Sequence, residues 1–170
     1  MKQIIFICGV LLCNVAFTQT IRTTDKSFEK RIDLLLSETV PFKYVAELSE
    51  ADLENYLLLD ARELEEYETS HIKGAKYIGY DKPDYTVLSD VEDDQPIILY
   101  CSIGYRSEKI GEQLKERGFT EVYNLYGSIF EWVNQDKPIV DESGEETKKI
   151  YTYSWMWSKW MMNSEYQQIW

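Results

Sequence analysis

The chain has 170 residues, 44% hydrophobic and 28% charged, the balance of a folded protein with room for one ordinary domain. Its formal charge of -12 argues against nucleic acid as a partner, because phosphate binding needs a basic surface. Within the body of the chain no apolar run reaches the roughly 18 residues of a membrane helix, so no internal membrane span is expected.

The chain opens "MKQIIFICGVLLCNVAFTQT". Lys2 gives a short basic start, Ile4 to Phe17 is apolar apart from Asn14, and Ala16 and Thr18 are small residues ahead of Gln19. This layout predicts a secretory signal over residues 1–18 and hence export to a periplasm or medium. A lipid anchor at Cys13 is the weaker alternative, because Leu12 stands where a small residue is usual. Of the three cysteines, Cys8 and Cys13 would leave with the signal, and Cys101 would remain without a disulfide partner.

Residues 19–40 read as a helical lead-in. Phe28, Ile32, Leu35 and Leu36 recur at helical spacing, and Ser27 is the expected cap. A domain over residues 41–140 follows. "KYVAEL" predicts a short strand and "SEADLENY" a short helix. "YLLLDAR" is a continuous apolar run that suits a buried parallel strand. "ELEEYETS" predicts one or two helical turns, and "HIKGAKYIGY" a turn at Gly74 and then a strand. After the mostly polar loop "DKPDYTVLSDVEDDQ" come the buried strand "PIILY" and the amphipathic helix "SEKIGEQLKERG", with Ile110 and Leu114 on one face and Gly118 at its end. "EVYNLY" predicts a strand and "GSIFEWVNQ" the start of a helix. Residues 141–170 are a charged linker, "DESGEETKK", and an aromatic tail carrying four of the five tryptophans. The tail suits packing on the domain or, alternatively, a partner surface.

Strands alternating with helices imply an α/β fold with a central parallel β-sheet and helices on both faces. Ligands of such sheets sit beyond the carboxyl ends of the strands. Cys101 stands there, between "PIILY" and the following helix. A helix N-terminus lowers a thiol pKa, and the thiolate is the reactive form. Residues Ser102 to Arg106 can curl into a nest of inward backbone N–H groups that binds anions; Gly104 permits the curve and Arg106 adds positive charge.

The segments "LLLDARELEEYETSHIKGAKYIG", "LYCSIGYRSEKIGEQL" and "VYNLYGSIFEW", in this order, make the chain resemble the rhodanese-like sulfurtransferase family over roughly residues 41–140. The resemblance implies a rhodanese-like α/β fold and a nucleophile at Cys101, which takes a sulfane sulfur from a small anionic donor such as thiosulfate. The persulfide then passes its sulfur to cyanide or to a thiol, including a protein thiol. The loop matching the family's anion cradle is Ser102, Ile103, Gly104, Tyr105 and Arg106. Asp60 and Arg62 match the D-x-R signature and support the pocket floor or, alternatively, a salt-bridge network with Glu66 and Arg106. Ser70 and Tyr126 depart from the family pattern where glycine is usual.

His71, the single histidine, falls in the family's H-I-x-G-A turn and reads as structural. One histidine and one cysteine do not make a zinc site, and no cofactor is implied. Two rival readings remain: a partner-dependent sulfur carrier or binding module, and a cysteine-dependent phosphatase or arsenate reductase. The phosphatase loops follow C-x5-R, whereas Cys101 and Arg106 form C-x4-R.

Overall fold

The computed structural model describes residues 21–170, so the expected signal segment and Cys13 lie outside the described residues. The first helix, α1, runs Lys26–Asp33. Its cap is Asp25, not Ser27: the Asp25 carboxylate accepts from the backbone N–H groups of Ser27 and Phe28, each at 2.8 Å. Because the helix starts at Lys26, Ser27 already lies in its first turn.

Strand β1 (Phe42–Tyr44) is shorter than "KYVAEL" suggests, and Val45–Glu47 turn into a 3-10 helix. The reason is pairing. β1 bonds only to β5 (Val122–Tyr126), and its last register pair, Tyr44 with Tyr126, uses up that partner. Helix α2 (Glu50–Leu53) is closed by a capping box between Ser49 and Asp52. Then come β2 (Leu57–Asp60), α3 (Leu64–Thr69), β3 (Lys76–Tyr77), β4 (Ile97–Tyr100), α4 (Tyr105–Glu116) and α5 (Ser128–Asn134). The five strands form one parallel sheet in the order β1-β5-β4-β2-β3.

Both faces of the sheet are covered, which is why β2 and β4 are apolar almost throughout. Alternate side chains go to opposite sides. Leu58, Ile98 and Leu125 join Phe28 and Ile32 of α1 and Ile129, Phe130 and Val133 of α5 in one core. Leu59, Leu99 and Val122 meet Ile110 and Leu114 of α4 in the other.

Asp60 and Arg62 are fully buried at the end of β2 and bond to each other, with Arg62 Nη2 donating to Asp60 Oδ2 at 2.6 Å. Arg62 also donates to the Ser70 carbonyl and so ties β2 to the end of α3. Removing one partner of such a buried pair costs about 3–5 kcal/mol.

The C-terminal segment packs on the domain. Strands β6 (Lys149–Tyr151) and β7 (Gln167–Ile169) pair in parallel, linked through the short helix α6 (Trp155–Ser158). Ile150, Met161 and Tyr166 are buried in the α1–α5 core, and Trp160 stacks on Phe28 at 5.6 Å. Because Ile150 is fully buried, Ile150→Ala should cost about 2–5 kcal/mol and lower the melting temperature by several degrees. A thermal melt by circular dichroism checks this; an unchanged midpoint would show that the segment does not contribute to the core.

Candidate active site

Cys101 follows β4, the central strand, at the carboxyl edge of the sheet. Helix α4 begins two residues earlier than the sequence pattern suggests, so Tyr105 and Arg106 form its first turn and Gly104 is its cap. Gly104 has φ 122°, a conformation costly for any residue with a Cβ, and a Cβ there would also press on Leu36 at 3.3 Å. In this geometry the Gly104 N–H donates to Cys101 Sγ at 3.1 Å.

Two polar groups that sequence reasoning did not select, Ser128 and Asn124, hold the loop together with Glu66, the ion-pair partner that the sequence offered for Arg106. Ser128 Oγ accepts from the Cys101 N–H at 3.1 Å. Asn124, buried in β5, donates to the Gly104 carbonyl at 2.9 Å and accepts from Ser107 Oγ at 2.8 Å. Glu66 takes Arg106 in a two-point pair, with contacts of 2.6 and 2.9 Å. Arg106 also donates to Ser102 Oγ at 2.9 Å. An asparagine inside the apolar run "VYNLY" was the available signal for Asn124. Glu66 was legible only as a possible ion-pair partner.

Burial pushes the Cys101 thiol up, but the positive charge of Arg106 and the backbone N–H groups of Ser107, Gly104 and Ile103 outweigh it. The net direction is down, toward the thiolate. Burial likewise raises the Glu66 carboxyl, and Arg106 pulls it back below its ordinary value. Arg106 is held charged by the same pair, against its own burial.

Cys101 opens into a pocket of about 410 Å³ whose floor includes Ser102, Ile103, Tyr105 and Arg106. Four of the five expected loop residues line the pocket; Gly104 does not, and meets Cys101 through its N–H. Asp60 and Arg62 do not line the pocket. They form their own buried pair, hydrogen-bonded apart from the Glu66–Arg106 pair but within reach of its charges, as the network reading expected. His71 stacks on Tyr67 at 4.1 Å and contacts the Tyr67 carbonyl through Nδ1, away from the pocket. Among the described residues no cluster of side chains is arranged to hold a metal, and no helix is long and apolar enough to cross a membrane.

The family model described as "Rhodanese-like domain" matches residues 43–135, more than half of the chain. The chain belongs to the Rhodanese-like domain family. It is 36% identical over 75 residues to the uncharacterized protein YqhL of Bacillus subtilis, a match covering 44% of this chain and 59% of that protein. It is 34% identical over 77 residues to the thiosulfate sulfurtransferase GlpE of Coxiella burnetii, covering 45% of this chain and 70% of that one. The rhodanese-like domain of the Alr3790 protein from Anabaena sp superposes with a TM-score of 0.55 at 22% identity, over 59% of this chain and 79% of that chain. That likeness bears on the fold alone.

If Arg106 helps to hold the thiolate, the alkylation rate of Cys101 by iodoacetamide should rise with pH through an inflection below the ordinary thiol range. The thiol must lose its proton before it reacts, so a lower pKa means faster alkylation at neutral pH. Arg106→Gln should move that inflection upward. An inflection at the ordinary thiol position in both proteins would remove Arg106 from the account.

Proposed function

We propose that the protein is a rhodanese-type sulfurtransferase acting through a persulfide on Cys101. The observation that carries this reading is the Gly104 N–H on Cys101 Sγ, at the start of a helix and beside a charged arginine. In the first step the Cys101 thiolate attacks the outer sulfur of a sulfane donor. With thiosulfate the S–S bond breaks and sulfite leaves with the electron pair. The outer sulfur, now anionic, lies where the loop N–H groups of Ile103 and Gly104 stabilise charge. In the second step cyanide or a thiol attacks that sulfur, and Cys101 returns as thiolate. No base is required, because the nucleophile is already ionised.

Phosphoryl transfer is the less suitable chemistry. A phosphoryl group needs a free arginine and a ring of donors around three oxygens. Here both terminal nitrogens of Arg106 are engaged by Glu66 and one of them also by Ser102, and the C-x4-R loop is one residue shorter than a phosphatase loop.

Intact-mass analysis after treatment with thiosulfate or methanethiosulfonate should show one added sulfur, removed by a reductant. Cys101→Ser should lose both the adduct and the transfer of sulfur to cyanide, and aryl phosphate hydrolysis should stay at background. Transfer that persists in Cys101→Ser would defeat the mechanism.

The signal-type start supports a place outside the cytoplasm for this chemistry. N-terminal sequencing of protein from the cell envelope or medium should find Gln19 first. A retained Met1 in a cytoplasmic fraction would refute export, and a lipid on Cys13 would assign the anchored form.

A further inference from the structure

The pocket over Cys101 is not built from the family-matched residues alone. Tyr153 and Trp157, both from the C-terminal segment beyond residue 135, form part of its wall. Leu35, from the lead-in, and Tyr80 add further apolar surface. This wall is held in place. Arg106 lies under the Tyr153 ring at 5.4 Å, and Arg31 of α1 covers the Trp157 ring at 5.1 Å. Asn134 at the end of α5 donates to the Trp160 carbonyl at 2.9 Å and accepts from the Met162 N–H at 2.8 Å.

The charges point the same way. Glu63 and Asp81 also line the pocket. Arg106, the lining cation, already has both terminal nitrogens bonded by Glu66. A dianion such as thiosulfate would therefore approach a thiolate and two carboxylates with no unpaired lining cation, among the described residues, to receive it. A donor with an apolar body and less negative charge would instead bury that body against the rings.

Resting on the sulfur-transfer reading above, we propose that Tyr153 and Trp157 form a specificity wall that selects organic sulfane donors, persulfides or thiosulfonates with an aromatic or comparably apolar body, over thiosulfate. For a persulfide R–S–SH, Cys101 thiolate attacks the outer sulfur and the S–S bond breaks. R–S⁻ departs with the electron pair and Cys101 carries –S–SH, with no net oxidation.

Three probes separate the contributions: benzenethiosulfonate, methanethiosulfonate and thiosulfate. The first two share the reactive group and the charge and differ in the ring; the last two differ in charge. The wild-type kcat/KM for benzenethiosulfonate should exceed that for methanethiosulfonate by roughly ten-fold or more. Trp157→Ala should bring this ratio toward one. Tyr153→Gly should lower it too, and it is the safer variant: Tyr153 is 60% exposed and its φ of 64° suits glycine. Glu63→Gln should raise kcat/KM for thiosulfate relative to methanethiosulfonate, most at low salt. Equal kcat/KM for the two thiosulfonates in the wild type, or a preference unchanged in both wall variants, overturns the proposal while leaving sulfur transfer standing. Failure of every donor to load Cys101 overturns the sulfur-transfer reading, and this proposal with it.

Discussion

The site depends on one contact, the Gly104 N–H on Cys101 Sγ at 3.1 Å. For a main-chain donor to reach a side-chain sulfur three residues back, the chain must reverse within the loop. Just past that N–H the chain turns into helix α4 through φ 122° at Gly104, where a side chain would be both strained and pressed on Leu36. The carbonyl of Gly104 must be satisfied as well, because it is buried. Asn124 donates to it at 2.9 Å, and the Glu108 N–H opens the helical ladder on it at 3.0 Å. The residue that permits the turn is thereby fastened through both its N–H and its carbonyl. β4 delivers the cysteine to this point, and β5 supplies the asparagine that holds it.

Arg106 has two possible uses in such a loop, and its surroundings decide between them. A free guanidinium would be a receptor for an anionic substrate. Bound at two points by the buried Glu66 carboxylate, it is oriented instead, and its charge is felt mainly by the nearby sulfur. The pair also answers its own cost. Glu66 and Arg106 are both largely withdrawn from water, and each keeps the other ionised. The loop therefore favours the thiolate without offering the pocket an unpaired cation.

The fold was readable because its signals are local. "LLLD" and "IILY" are apolar without interruption, as strands covered on two faces must be, and each is followed by a polar turn and a helical pattern. The reactive loop was readable for the same reason: cysteine, glycine and arginine stand within six residues of chain. Where the reading missed, the deciding contact came from elsewhere. The helix α1 cap moved to Asp25 because the helix begins one residue before Ser27, and β1 stopped at Tyr44 because its partner strand ends there. Ser128 and Asn124 reach the loop across 27 residues of chain from Cys101 and 20 from Gly104. No spacing rule connects Tyr153 or Trp157 to Cys101. The packing of the tail against the domain does so.

That packing gives helix α5 a second task. At its start, Gly127 and Ser128 both adopt positive φ, and a Cβ on Gly127 would stand 2.6 Å from Glu131 Cβ, so the chain enters the helix by a turn that tolerates little else. The turn aims Ser128 Oγ and the N–H groups of Ile129 and Phe130 at the Cys101 N–H and at the Cys101 and Ser102 carbonyls. At the other end, Asn134 and the Val133 carbonyl bind the main chain at Trp160 and Met162 and the side chain of Asn163. One helix of seven residues thus holds the nucleophile's loop at its first turn and the aromatic segment at its last. The position of the pocket wall relative to Cys101 draws on α5, a fully buried core element across Phe130 and Val133, together with the contacts of the rings themselves to Arg106 and Arg31.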